Sequence, residues 1–350
     1  MAALDRRGTC HRPCGGVCVR TSRPSVQRLI SIYALLVAGN IGAWAWAHAL
    51  FGNNPVLMGT AVLAYALGLR HAVDADHIAA IDNVTRKLVA QDKKPGTVGL
   101  YFSLGHSTVV ALACAVIAVT SVGVNAHFAA LRAIGSVVGT GVSAAFLFII
   151  ALANIVTLAA IWRGFRHSGP GDETDLPLPG GPFSRLLRPF MGVIARPWQM
   201  YPLGFLFGLG FDTASEVGLL GISASQASHA VPLWTIMVFP ALFTAGMSLI
   251  DTSDGLLMTG AYSWASVRPQ RKLVYNFTVT LFSILVALII GALEALNLVA
   301  NRFALGGPFW RWVGDLNDHF GTIGCAIIGT LVGCWLLSLM LSQTRSSVTV

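Results

Sequence analysis

The chain has 350 residues, of which 55% are hydrophobic and only 11% charged, with a mean hydropathy of +0.68 and a formal net charge of +8. A soluble domain is about one quarter charged, so this chain lacks the side chains to cover a water-facing surface. Its composition excludes a cytosolic enzyme, a disordered regulator and a nucleic-acid binder. It leaves an all-α polytopic membrane protein, in which helices satisfy the backbone within lipid.

Residues 1–28 are Arg-rich, poor in acids and without an apolar core segment, so they read as a cytoplasmic tail and not as a secretory signal. Cys10, His11, Cys14 and Cys18 lie there without a second ligand pair downstream, and their role stays open. Residues 29–342 form the membrane domain. Crossing a hydrocarbon core of about 30 Å takes roughly 20 helical residues. Runs of that kind lie near 29–50, 56–81, 97–120, 134–162, 200–222, 231–258, 273–296 and 320–342, eight expected spans in all. Between the fourth and fifth, residues 163–199 mix Gly169, Pro170, Gly171, Pro177, Pro179, Gly180, Gly181 and Pro182 with charges, which reads as a cytoplasmic linker joining two halves. Residues 343–350 are a second cytoplasmic tail. Cys114, Cys325 and Cys334 stand singly within spans and behave as small hydrophobes, so no disulfide framework is implied.

Short loops rich in Lys and Arg stay inside. With a cytoplasmic N-terminus, 19 of the 23 Lys and Arg fall on the inner side. Only Arg132, Arg302 and Arg311 fall outside, and Arg70 lies within span 2. Both termini are therefore expected in the cytoplasm. A faint internal repeat accompanies this topology. Gly68-Leu69 of span 2 matches Gly208-Leu209 of span 5, 140 residues later, and residues 102–107 of span 3 match 243–248 of span 6, 141 residues later. The matched spans would run in opposite directions, so an inverted repeat relating spans 1–3 to spans 4–6 is expected, a design common among secondary transporters.

Ionisable groups inside a span cost about 2.5 to 3.5 kcal/mol each even on a lenient scale and mark functional sites by default. Span 2 holds Arg70, His71, Asp74, Asp76 and His77; span 3 holds His106; span 5 holds Asp212 and Glu216; span 6 holds Asp251 and Asp254; span 7 holds Glu294. Imidazole with carboxylate is the donor set of a first-row divalent ion, whereas oxygen alone suits magnesium or calcium. The groups recur on several spans, as a cation path requires. At 100° per residue, however, His71, Asp76 and His77 cannot face one point from an unbroken helix. Either span 2 unwinds between Arg70 and His77, or Asp74 is the inward carboxylate.

The run Arg70-His71-Ala72-Val73-Asp74-Ala75-Asp76-His77-Ile78 resembles the second-span signature of the nickel/cobalt transporter (NiCoT) family. Leu104-Gly105-His106-Ser107, the run from Leu209 to Glu216, and the run from Gly246 to Asp254 are similar to that family's other blocks, in the same order. The resemblance, closest to bacterial high-affinity nickel permeases, implies an eight-span permease of the bacterial inner membrane. It would take up Ni2+, and in some members Co2+, as substrate and without a cofactor. It carries over His71, Asp76 and His77 as metal-binding residues, with His106 and the acids of spans 5 and 6 as contributors. Ser215 stands where the family more often has threonine, which keeps the hydroxyl. The competing reading is an intramembrane zinc-dependent enzyme, although no H-E-x-x-H run is present. Nor is there a G-x4-G-K-[ST] run, so the sequence calls for no ATPase subunit, and its expected partners are a divalent cation and lipid.

Overall fold

The computed structural model describes residues 26–91, 93–119, 125–167, 194–210, 213–228, 231–265 and 269–346. Cys10, His11, Cys14 and Cys18, most of the 163–199 linker, and Asp212 lie outside the described residues. Among those described, every regular element is a helix: α1 (Val26–Phe51), α2 (Pro55–His71), α3 (Ala75–Ala90), α4 (Val98–Val119), α5 (Asn125–His167), α6 (Met200–Gly208), α7 (Ala214–Ser228), α8 (Leu233–Ile236), α9 (Val238–Ala265), α10 (Pro269–Arg302), α11 (Pro308–Asp318) and α12 (Phe320–Ser346). The protein is an all-α, multi-pass membrane protein.

Five stretches are individually long and apolar enough to cross a membrane: Val26–Phe51, Val98–Val119, Ile134–Val156, Leu233–Tyr262 and Thr280–Arg302. The bent pair α2 and α3 makes a sixth. One expected span is not a single helix. Residues 200–222 divide into α6 and α7, each shorter than a span, whereas α12 is continuous from Phe320 to Ser346. The outer faces are apolar, as lipid requires: Leu281, Leu285 and Ile289 recur at four-residue spacing along one exposed stripe of α10. On α11, by contrast, Phe309 and Trp312 are exposed while Val313 is buried, so this short helix has the aromatic surface of an element at the membrane interface.

Span 2 breaks where its sequence allows. Asn54 caps α2 by accepting from the amides of Val56 and Leu57, with Pro55 at the first helical position. The helix stops at His71. Asp74 is extended (φ −64°, ψ 143°) and begins α3, and the two helices meet at 51°. This is the irregularity that His71 and His77 need. The break is also wedged from the side: a Cβ on Gly324 of α12 would overlap the Val73 carbonyl, and one on Gly321 would lie 3.3 Å from both Arg70 Nε and Asp74 Oδ1.

The two halves pack on each other in equivalent ways, but in a different register from the sequence match. Gly68 of α2 lies against the Phe243 backbone of α9, and Gly204 of α6 lies against the Phe102 backbone of α4. Reciprocally, Gly246 approaches Tyr65 O and Leu69 N, while Gly105 approaches Tyr201 O and Phe205 N. The equivalences are therefore Tyr65 with Tyr201 and Gly68 with Gly204, an offset of 136 between spans 2 and 5, beside 141 between spans 3 and 6. Gly68 is not the counterpart of Gly208. The corrected register also matches Asp76 to Asp212.

Candidate metal centre

His71, the last residue of α2, His77 in the first turn of α3 and His106 on α4 converge in the middle of the bundle. All three are buried, their rings form a nearly equilateral triangle with centroids 4.6, 4.8 and 4.8 Å apart, and one nitrogen from each lies within 4.8 Å of the others. Phe102 and His77 meet at right angles with ring centroids 4.9 Å apart, and Phe243, the repeat counterpart of Phe102, lies 5.6 Å from His71. These aromatic walls keep the imidazoles out of bulk water.

Carboxylates orient the rings. His71 Nδ1 is 2.9 Å from Asp74 Oδ2, and His77 Nδ1 is 3.4 Å from both oxygens of Asp251 on α9. A proton on each Nδ1, donated to its carboxylate, leaves both Nε2 atoms with a free lone pair. Imidazoles that bind a metal through one nitrogen are commonly held this way through the other. His71 Nε2 faces His106 Nε2 at 2.9 Å, and Glu216 Oε1 on α7 lies 3.0 Å from His106 Nε2 and 3.8 Å from His71 Nε2. His77 Nε2 is buried without a hydrogen-bond partner. Three nitrogens and one carboxylate oxygen therefore crowd one small space. An uncompensated buried donor or acceptor costs about 1 to 3 kcal/mol, and a cation would satisfy this set at once.

A second layer holds the first. Thr213 Oγ1 donates to Glu216 Oε2 at 3.1 Å and also lies 3.4 Å from His71 Nδ1. Arg70 Nη1 donates to Ser215 Oγ at 2.7 Å and sits 3.6 Å from Asp74, so one guanidinium ties the break in span 2 to the break in span 5. Ser215 thus has a use for its hydroxyl.

Of the residues singled out from sequence, His71, His77, His106, Asp74, Glu216 and Asp251 are joined in this network. Asp74 and Asp251 are on the Nδ1 side of their histidines, away from the shared Nε2 space. Asp76 makes no side-chain hydrogen bond through its buried Oδ1 and is not part of the three-histidine group. Asp254 lies further along α9, and Asp212 is outside the described residues. Glu294 is apart from the cluster and accepts from Ser143 at 2.9 Å. Thr213 and the two phenylalanines were not evident beforehand; the run Asp212-Thr213-Ala214-Ser215-Glu216 carried the only signal for the threonine.

Comparison with known proteins decides the family. The high-affinity nickel-transport protein family (NicO) matches residues 57–341. The chain belongs to that family. It is 54% identical over 331 residues to a high-affinity nickel transport protein of Cupriavidus necator, covering 93% of this chain and 94% of the relative. It is 50% identical over 316 residues to the hydrogenase nickel incorporation protein HupN of Bradyrhizobium diazoefficiens, covering 89% and 83%. A cobalt transport protein, NhlF of Rhodococcus rhodochrous, is 36% identical over 344 residues, covering 95% and 96%. No solved structure matches. The family consists of transporters, so the protein is not an enzyme, and the zinc-enzyme alternative has no support.

Proposed function

We propose that this chain is a secondary permease that takes Ni2+ across the bacterial inner membrane, with both termini in the cytoplasm. His71, His77 and His106 are its metal-binding imidazoles, and Glu216 is the carboxylate beside them. The observation that carries this reading is the cluster of three buried imidazoles, two of them with Nδ1 facing Asp74 and Asp251, while His71 Nε2 faces His106 Nε2 and His77 Nε2 is buried without a hydrogen-bond partner. Nitrogen-rich donor sets suit first-row divalent ions. Asp76 and Asp212, matched by the repeat offset in sequence, supply further negative charge to an arriving dication. Residues from both halves build the site, so relative movement of the halves would assemble and dismantle it, which is how alternating access proceeds at a repeat interface.

The inside-negative potential contributes about 2.3 kcal/mol per charge per 100 mV, twice that for a dication, so no ATPase is needed to drive uptake. Co2+ is the second cargo, on the ground that a relative covered almost end to end is named as a cobalt transport protein. The test is uptake of trace radiolabelled nickel by proteoliposomes under an inside-negative potential, without ATP and with cobalt and zinc as competitors. Nickel accumulation suppressed by excess cobalt is the expected result. Accumulation that required ATP, or none at all, would overturn the proposal.

A further inference from the structure

The histidine site leaves one buried acid unexplained. One turn beyond Asp251 on α9, Asp254 is 7% exposed, and neither of its carboxylate oxygens has a hydrogen-bond partner. The charges that act on it, those of Asp82 on α3 and of Asp251, are both negative. Burying an ionised group without a partner is among the most expensive arrangements in a protein, and like charges beside it add to the cost. Asp82 is buried too, accepting from the Tyr262 hydroxyl of α9 and from Ser283 Oγ of α10 at 3.0 Å. Near it on α3, Thr85 Oγ1 is buried without a partner. The seam between α3 and α9 thus has a surplus of oxygen and negative charge, and it leads from the histidines toward the end of α3 that carries Arg86 and Lys87.

We propose that Asp254 and Asp82 form a second cation station, an oxygen-only site for the transported divalent ion on the cytoplasmic side of the histidine site. The station rests on the permease reading above. Its chemistry answers a requirement of transport: a cation must be held firmly enough to enter and weakly enough to leave. Imidazole holds nickel or cobalt more tightly than carboxylate and hydroxyl oxygens do, so passage from the histidines to Asp254 is a step down in affinity. Asp254 lies about 4.5 Å further along the axis of α9 than Asp251, at 1.5 Å per residue.

The far side of the station is closed by a polar latch. Arg86 donates to Thr280 Oγ1 of α10 at 2.9 Å, and Asn154 of α5 donates to Asn83 Oδ1 at 2.7 Å. Arg86 also acts electrostatically on Asp82. A dication arriving at Asp82 competes with that guanidinium and loosens the seam toward the cytoplasm.

The test compares nickel binding to the purified full-length protein in detergent with nickel transport by the same protein in liposomes. Asp254→Asn removes an unpartnered charge without changing shape, so the variant should reach the membrane at wild-type levels or above. It should bind nickel within about twofold of wild type yet transport at least about tenfold more slowly, because only the release route is damaged. Asp82→Asn should show the same split. His71→Ala should lose binding and transport together. Normal transport in either Asn variant overturns the station. So does loss of tight binding in Asp254→Asn, which would make it part of the histidine site, and so does absence of the variant from the membrane, which would make it a structural group. If His71→Ala binds and transports normally, the histidine reading fails, and the station built on it fails with it.

Discussion

The two halves of the molecule pack as equivalents and differ in chemistry. Gly68 and Gly204 make the same close approach in each half. Yet the first half supplies His71, His77 and His106, whereas the positions matched to them by offsets of 136 and 141 are Phe207, Thr213 and Met247. The second half instead supplies Glu216, Asp251 and Thr213, which orient or complete what the first half offers. A shared scaffold thus carries the imidazoles on one half and, on the other, carboxylates that face two of them.

That division can be broken in order of severity. His71→Ala or His77→Ala removes a ligand nitrogen outright. Each should lower nickel uptake by well over about 100-fold, beyond the range seen when outer-shell partners are lost, while leaving protein in the membrane; immunodetection beside uptake checks both. Glu216→Gln keeps the shape but removes the charge facing two imidazoles, and should weaken nickel binding by about 100-fold in calorimetry of the purified protein. Asp251→Asn touches only the Nδ1 side of His77 and should cost about 10-fold in the same measurement. If Asp251→Asn proved as damaging as His77→Ala, Asp251 would itself be a ligand and not the group that orients His77.

The packing equivalence has its own test. Gly68→Ala and Gly204→Ala each force a methyl into a facing backbone, and overpacking of this kind costs about 1 to 3 kcal/mol. Both should lower the detergent melting temperature by similar amounts. Unequal losses would show that the halves are not equivalent at these contacts. The smallest effect is expected at Ser215→Ala, which deletes one hydrogen bond from Arg70 worth about 1 kcal/mol. Uptake should fall only a few-fold.

Much of this was legible in the chain. Poverty of charge identified the solvent, and the collision between helical periodicity and the order His71, Asp76, His77 left either a break or an inward Asp74; the structure has a break at residues 72–74 and Asp74 on His71. The second break was not legible in the run Asp212 to Glu216, whose i, i+4 spacing suits one helix face, because an apolar stretch such as 200–222 reads the same whether it is one helix or two short ones. The repeat register was missed by one helical turn for a related reason. Matching Gly68 to Gly208 aligns letters, whereas the approach of backbones selects Gly204, and glycines four residues apart share a helix face. Asp74 and Asp76 could not be ranked from spacing alone, since the direction of each carboxylate depends on how α3 begins after the extended Asp74. The Arg86 latch was also hidden, as its partners Thr280, Asn83 and Asn154 are unremarkable polar residues until three helices bring them together.

The wedge of α12 against the span 2 break gives the last helix a mechanical duty. Because Gly324 has no room for a side chain beside the Val73 carbonyl, the 51° angle between α2 and α3 is braced from outside the repeat. At that approach any side chain at position 324 would have to displace the Val73 peptide. A helix outside the histidine group thus holds the joint in its bent shape, in the way a door stop governs a door without belonging to its lock.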